Sequence, residues 1–213
     1  MASCPYIFVW LPKTGGTSVS HALAVADGMR IARHPRRPWR PGNDGNGVTF
    51  LHKGLPALVD HGLLDAGACK AAFKFAFVRN PWDRFVSLWS YWHRLRRCVD
   101  SVKGRSLAEA CRFIAERGVP PPGIGNISGF NLAAPQTEWL FPDGRLAVDF
   151  VGRFEDLDED FGRVCRVLGV RAVLPRLNTS RRKADYRRYY DDEAAELVGR
   201  LYAGDVRSFG YEF

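Results

Sequence analysis

Two short segments carry residue types suited to holding negatively charged groups. In the first, the apolar run Tyr6-Ile-Phe-Val-Trp-Leu11 leads into Pro12-Lys-Thr-Gly-Gly-Thr-Ser18. In the second, Phe73-Lys-Phe-Ala-Phe-Val78 leads into Arg79-Asn-Pro-Trp-Asp-Arg-Phe-Val-Ser87. Each reads as a strand emptying into a basic, hydroxyl-bearing turn that opens a helix. A helix start presents N–H groups that the helix itself cannot satisfy, together with the positive end of its dipole, and so attracts anions. Two such turns, with Lys13 in one and Arg79 and Ser87 in the other, predict a ligand carrying phosphate groups at two separate places. The competing readings are a plain strand-to-helix turn at Gly15 and Gly16, a surface ion pair at Arg79 and an exposed helix serine at Ser87.

The elements that must position these residues follow from composition and spacing. Residues 5–11 read as a buried strand that Pro12 ends, and a helix follows from Thr17 to about Asp27. Val48 to Leu51 reads as a short strand and Pro56 to Leu64 as a helix. After the strand at 73–78, Asn80 fits a helix N-cap, Pro81 the first helical position and Asp83 a capping box. Phe85, Leu88, Trp89, Trp92 and Leu95 recur at helical spacing and define a buried stripe. Further helices are expected at 106–117, after Glu155 with a stop at Gly169, and at 192–203, with a strand at Leu146 to Phe154 and an aromatic tail at the end. Strands alternating with helices predict a three-layer α/β domain around a mainly parallel sheet. The 213 residues are read as one domain, residues 1–213, with surface loops at 33–47, rich in Pro, Arg, Gly and Asn, and at 118–129.

Composition narrows the setting. The formal net charge of +8 favours anionic partners, and nucleic acid, an anionic lipid surface, a phosphorylated cofactor and an acidic polysaccharide all satisfy it. Five cysteines without a C-x-x-C pair suggest a reduced, cytoplasmic setting and argue against zinc. No signal peptide is evident. No window reaches the roughly 20 apolar residues of a membrane span, so a soluble chain is expected.

The nucleoside triphosphate loop G-x-x-x-x-G-K-[ST] places its lysine directly before the hydroxyl that holds magnesium. Here Lys13 precedes the glycines, which weighs against magnesium-dependent phosphoryl transfer. The paired segments instead resemble the sulfotransferase superfamily that uses 3′-phosphoadenosine 5′-phosphosulfate (PAPS) and releases PAP. Phe150-Val-Gly-Arg-Phe-Glu-Asp-Leu157, Asn178-Thr-Ser-Arg-Arg182 and the ending Tyr202 to Phe213 are similar to its carbohydrate-sulfating branch, family 2-like. The resemblance implies a P-loop-like fold and no metal. By position, Lys13, Thr14, Gly15, Gly16, Thr17 and Ser18 match the loop that binds the 5′-phosphosulfate, and Arg79 and Ser87 match the 3′-phosphate pair. Ser180, Arg181 and Arg182 match a segment that approaches the nucleotide, although the Arg-Lys-Gly motif of the cytosolic small-molecule branch is absent.

Sulfuryl transfer to a hydroxyl needs positive charge at the departing phosphate and a group to take the acceptor proton. Lys13 suits the first task. His52, directly after a strand, is the candidate base, a place where related enzymes carry a histidine or glutamate; Glu138 is the reserve, and Gln136 a candidate for holding cofactor or acceptor. The implied acceptor is a hydroxyl of a carbohydrate or glycosylated metabolite. Two other readings compete: a nucleotide kinase or triphosphatase, and a non-enzymatic basic module that binds anions such as nucleic acid, for which no nucleic-acid-reading motif is present.

Overall fold

The computed structural model describes residues 5–32, 46–52, 54–94, 104–117, 132–177 and 185–213. The first elements are β1 (Tyr6–Val9), α1 (Gly16–Asp27), β2 (Arg30–Ala32), β3 (Gly47–Phe50), α2 (Leu55–Asp60) and α3 (Ala66–Ala71). Next come β4 (Phe73–Val78), α4 (Pro81–Arg94), α5 (Leu107–Arg117) and α6 (Gln136–Leu140). The remainder is β5 (Phe150–Arg153), α7 (Leu157–Leu168), a 3₁₀ turn at Tyr186–Tyr189, α8 (Asp192–Leu201) and α9 (Ala203–Phe209).

The chain divides into two compact units, Met1–Val78 with Trp139–Asn178, and Arg79–Glu138 with Thr179–Phe213. The first holds the whole sheet, five strands in the order β2-β3-β1-β4-β5, every pair parallel. Parallel neighbours need crossover connections, which is why helices fall between the strands and cover the sheet. β1 lies in the middle, with Phe8 opposite Phe75 on β4 and opposite Thr49 on β3. Tyr6, Phe8 and Trp10 alternate onto one face, where they meet Phe75 and Phe77, Val19 and Leu23 of α1, and Phe161 and Val164 of α7. The rings of Phe8 and Phe75 stack with centroids 5.2 Å apart. Each such buried side chain stabilises the fold by roughly 1.5–3 kcal/mol through apolar burial. α1 and α7 end where the sequence supplies glycine, at Gly28 (φ 66°) and Gly169 (φ 67°).

The second unit is helical. Asn80 caps α4, its Oδ1 accepting from the N–H groups of Trp82 (3.0 Å) and Asp83 (3.4 Å), while its Nδ2 donates to the Glu212 carbonyl at 2.8 Å. α5 and α4 pack with α8, and Trp82 donates its indole N–H to the Ala195 carbonyl at 2.8 Å. Arg84, only 1% exposed, donates to the carbonyls of Leu132 (3.1 Å) and Ala134 (2.8 Å) and lies against the Tyr202 ring. A buried guanidinium thus fixes the chain leading into α6.

The expected elements are present with adjusted limits. β3 begins at Gly47 and β5 is confined to Phe150–Arg153. Five elements escaped the sequence reading: β2, α3, α6, the 3₁₀ turn, and α9, which lies between the last helix read from the sequence and the aromatic tail. Of the expected loops, residues 33–45 and 118–129 lie outside the described residues. No helix among the described residues is long and apolar enough to cross a membrane.

Candidate active site

Within the first unit, the segment between β1 and α1 carries the first anion motif. Its backbone takes left-handed conformations at Lys13 (φ 69°) and Gly15 (φ 81°), and the Gly15 carbonyl receives the N–H groups of Ser18 (2.9 Å) and Val19 (3.3 Å). Gly15 is the N-cap and brings no side chain, so no side chain caps the N–H groups of Gly16 and Thr17 at the start of α1. The glycines are set by space as well as by φ. A Cβ on Gly16 would lie 2.1 Å from Trp10 Nε1, and one on Gly15 would lie 2.7 Å from Leu157 Cδ2.

The three hydroxyls of the motif differ in employment. Thr14, wholly buried, donates to the Leu11 carbonyl at 3.0 Å and so braces the turn. Ser18 Oγ accepts the Leu177 N–H at 3.2 Å, tying α1 to the chain that follows α7. Thr17 is half-buried, and its hydroxyl makes no hydrogen bond with another described residue.

His52 follows β3 in a left-handed conformation (φ 52°), and its Nδ1 lies 3.3 Å from the Trp10 carbonyl. A carbonyl only accepts, so Nδ1 carries the hydrogen in this contact, which in the neutral ring gives Nε2 the lone pair. The His52 and Trp10 rings meet edge-on at 5.6 Å. Trp10, which sequence reasoning treated only as part of the strand, therefore touches both the glycine turn and the candidate base.

The second motif begins the second unit. Arg79 is 5% exposed; its Nε and Nη2 both reach Asp83 Oδ2, at 2.8 and 2.7 Å. Its backbone is held by Gln136, whose Oε1 accepts the Arg79 N–H at 2.8 Å and whose Nε2 donates to the Arg79 carbonyl at 2.9 Å. Asp83 was read as a capping-box residue; its Oδ2 is committed to Arg79. Ser87 is buried on α4 at the i, i+4, i+8 spacing shared with Arg79 and Asp83, and its hydroxyl makes no hydrogen bond with another described residue.

Glu138 lies exposed on α6, with its pKa raised first by desolvation and then by Asp205, against the opposing charge of Arg84. Ser180, Arg181 and Arg182 lie outside the described residues.

A profile of the sulfotransferase family matches residues 5–212. The chain belongs to the sulfotransferase family. As a sulfotransferase it shares its fold with solved relatives at low identity. One is a sulfotransferase from Alicyclobacillus acidocaldarius, 18% identical, with TM-score 0.57 over 100% of this chain and 98% of that one. Another is mouse sulfotransferase SULT7A1, solved in complex with PAP, 15% identical, with TM-score 0.52 over 95% of this chain and 84% of that one. An uncharacterized protein from Archaeoglobus fulgidus is 27% identical over 112 residues, half of this chain and 76% of its own length. The enzyme thus carries the P-loop-like sulfotransferase architecture, with its all-parallel sheet at the centre.

Proposed function

We propose that this sulfotransferase takes its sulfuryl group from PAPS and delivers it to a hydroxyl of a carbohydrate or glycosylated metabolite. The observation that carries the reading is the shared strain of Lys13 and His52. Among the described residues they are the non-glycine positions with positive φ, and they follow β1 and β3, which pair in parallel. Left-handed backbone costs such residues on the order of 1–2 kcal/mol, and it is retained where a site demands a particular side-chain direction. Two strained residues of complementary chemistry, each directly after a strand of one parallel pair, fit a site for group transfer.

The residues suit a donor with two phosphate ends. The first-turn N–H groups of α1 and the Thr17 hydroxyl would hold the 5′ end; Arg79 and Ser87 would take the 3′-phosphate, with Ser180, Arg181 and Arg182 assigned to the nucleotide by resemblance. PAPS, when bound, supplies a sulfuryl group on a phosphate leaving group. His52 Nε2 takes the acceptor's proton as the acceptor oxygen bonds to sulfur. Lys13 would balance the negative charge that develops on the phosphate leaving group. The carbohydrate preference is supported by the similarity of the 150–157 and 202–213 segments to the carbohydrate-sulfating branch. A single domain working in a reducing, cytoplasmic setting completes the reading, supported by free thiols at Cys69, Cys111 and Cys165.

Titration calorimetry of PAP against ADP, in the wild type and in Lys13→Ala and Arg79→Ala, tests the reading. A preference for PAP that Arg79→Ala abolishes, followed by release of PAP with sugar acceptors, is the expected result. Equal binding of PAP and ADP with magnesium-dependent ATP hydrolysis would overturn it in favour of a nucleotide kinase.

A further inference from the structure

We infer that Gln136 and Asp205 are positioning residues for Arg79, a buried relay that fixes the arginine's backbone and thereby tunes discrimination of the 3′-phosphate. The inference rests on reading Arg79 as the 3′-phosphate residue. All three belong to the second unit, although Gln136 is 57 residues from Arg79 and Asp205 a further 69 from Gln136.

Gln136 and Asp205 are both 0% exposed. The Asp205 carboxylate accepts four hydrogen bonds. Oδ2 takes the Gln136 N–H (2.8 Å) and Nε2 (3.2 Å), and Oδ1 takes the Thr137 N–H (2.8 Å) and hydroxyl (3.0 Å). An ionised carboxylate buried without such donors would be strongly unfavourable, so this arrangement is over-determined.

The charge also decides which way the Gln136 amide faces. Asp205 accepts and does not donate, so the NH₂ group of Gln136 must lie toward it. That leaves Oε1 for the Arg79 N–H, while the same NH₂ group also reaches the Arg79 carbonyl. Reversing the amide would set its one oxygen against both the Asp205 carboxylate and the Arg79 carbonyl, and its NH₂ group against the Arg79 N–H. The amide therefore clamps both polar groups of one peptide residue, as a neighbouring strand would, at the point where the chain leaves β4. With Asp83 holding Nε and Nη2, Arg79 is fixed at its backbone and at its guanidinium. A group ordered before binding loses less conformational entropy when its ligand arrives.

A purely structural role would lower stability and weaken all nucleotides alike, whereas a positioning role changes the ratio of PAP to ADP affinity. Gln136→Met and Asp205→Asn are expected to weaken PAP about tenfold while ADP binding stays within about twofold. Tyr202→Phe, which removes a buried hydroxyl bond to the Ala133 carbonyl, should lower the melting temperature and leave the ratio unchanged. An unchanged ratio in Gln136→Met and Asp205→Asn, when Arg79→Ala loses it, overturns this inference and leaves the reading of Arg79 standing. A ratio retained in Arg79→Ala overturns both. Hydrogen exchange on the unaltered protein provides a second measurement independent of variant folding: the Arg79 amide should exchange only through global unfolding, and fast exchange there would sink the proposal.

Discussion

Asp83 Oδ2 receives both Nε and Nη2 of Arg79, one carboxylate oxygen taking two hydrogens from one edge of the guanidinium. The pair is an i, i+4 contact with both side chains largely enclosed, which sets it apart from the exposed pairs on this chain such as Arg112 with Glu193. Exposed pairs contribute little, but an enclosed charge that loses its partner is costly.

Asp83→Ala is therefore expected to lower unfolding stability by about 3 kcal/mol. The same truncation at Glu193 should cost less than about 1 kcal/mol. Urea titrations of the two variants compare them directly, and equal losses would show that burial of the Arg79 pair has no energetic consequence.

The glycine turn can be tested by compensation. Gly16→Ala places a methyl group against the Trp10 indole and is expected to destabilise by roughly 1–3 kcal/mol, with loss of PAP binding. Adding Trp10→Leu should recover part of both losses, because the clash is with that one ring. A double variant no better than the sum of the singles would show that the turn rejects alanine for another reason.

His52 and Glu138 separate on turnover. His52→Asn is expected to reduce kcat by about 10²-fold while leaving PAP affinity unchanged, and to remove the acidic limb of the pH–rate profile. If the limb survives in His52→Asn and disappears in Glu138→Gln, the base is Glu138, whose pKa is already raised by partial desolvation and by Asp205.

Cys111 offers a pH test of the second unit. Burial pushes its thiol from 9.0 up to about 12, so it stays neutral and unreactive at pH 8. Alkylation mapped by peptide should modify the half-buried Cys69 and spare Cys111 until urea unfolds the chain. Because the folded pKa lies above the unfolded one, this thiol's contribution to stability is complete below pH 9 and is lost as pH rises through about 12. Rapid labelling of Cys111 in the native state would contradict the packing of α5.

Legibility from sequence followed the range of the interactions concerned. α4 was readable because its cap, first-position proline and apolar stripe are all local, and Asn80 does cap it. β1 was readable because a strand buried on both faces needs an unbroken apolar run, and β4 because Phe73, Phe75 and Phe77 alternate along it. β2 was not: three residues beginning with Arg30 form a strand only because β3 is there to pair with. α3 carries too little apolar pattern to announce itself, and α9 was obscured by the aromatic residues that follow it.

The site divides in the same way. Lys13, the glycines and Arg79 lie in local motifs, whereas the roles of Trp10 and Asp205 depend on partners far along the chain. Gln136 was noticed as a candidate for touching cofactor or acceptor, but its amide is spent on Arg79 and Asp205. No spacing rule could have revealed that.

The Gln136–Asp205 clamp also has a meaning during synthesis. A ribosome releases Arg79 well before Gln136 and Gln136 well before Asp205, so the arginine's turn emerges with its backbone groups facing only water. Its final conformation waits for Gln136 and Asp205, both far along the chain from it. A nascent chain that ends between Arg79 and Gln136 would thus display both anion motifs in its sequence and yet lack the clamp on its arginine.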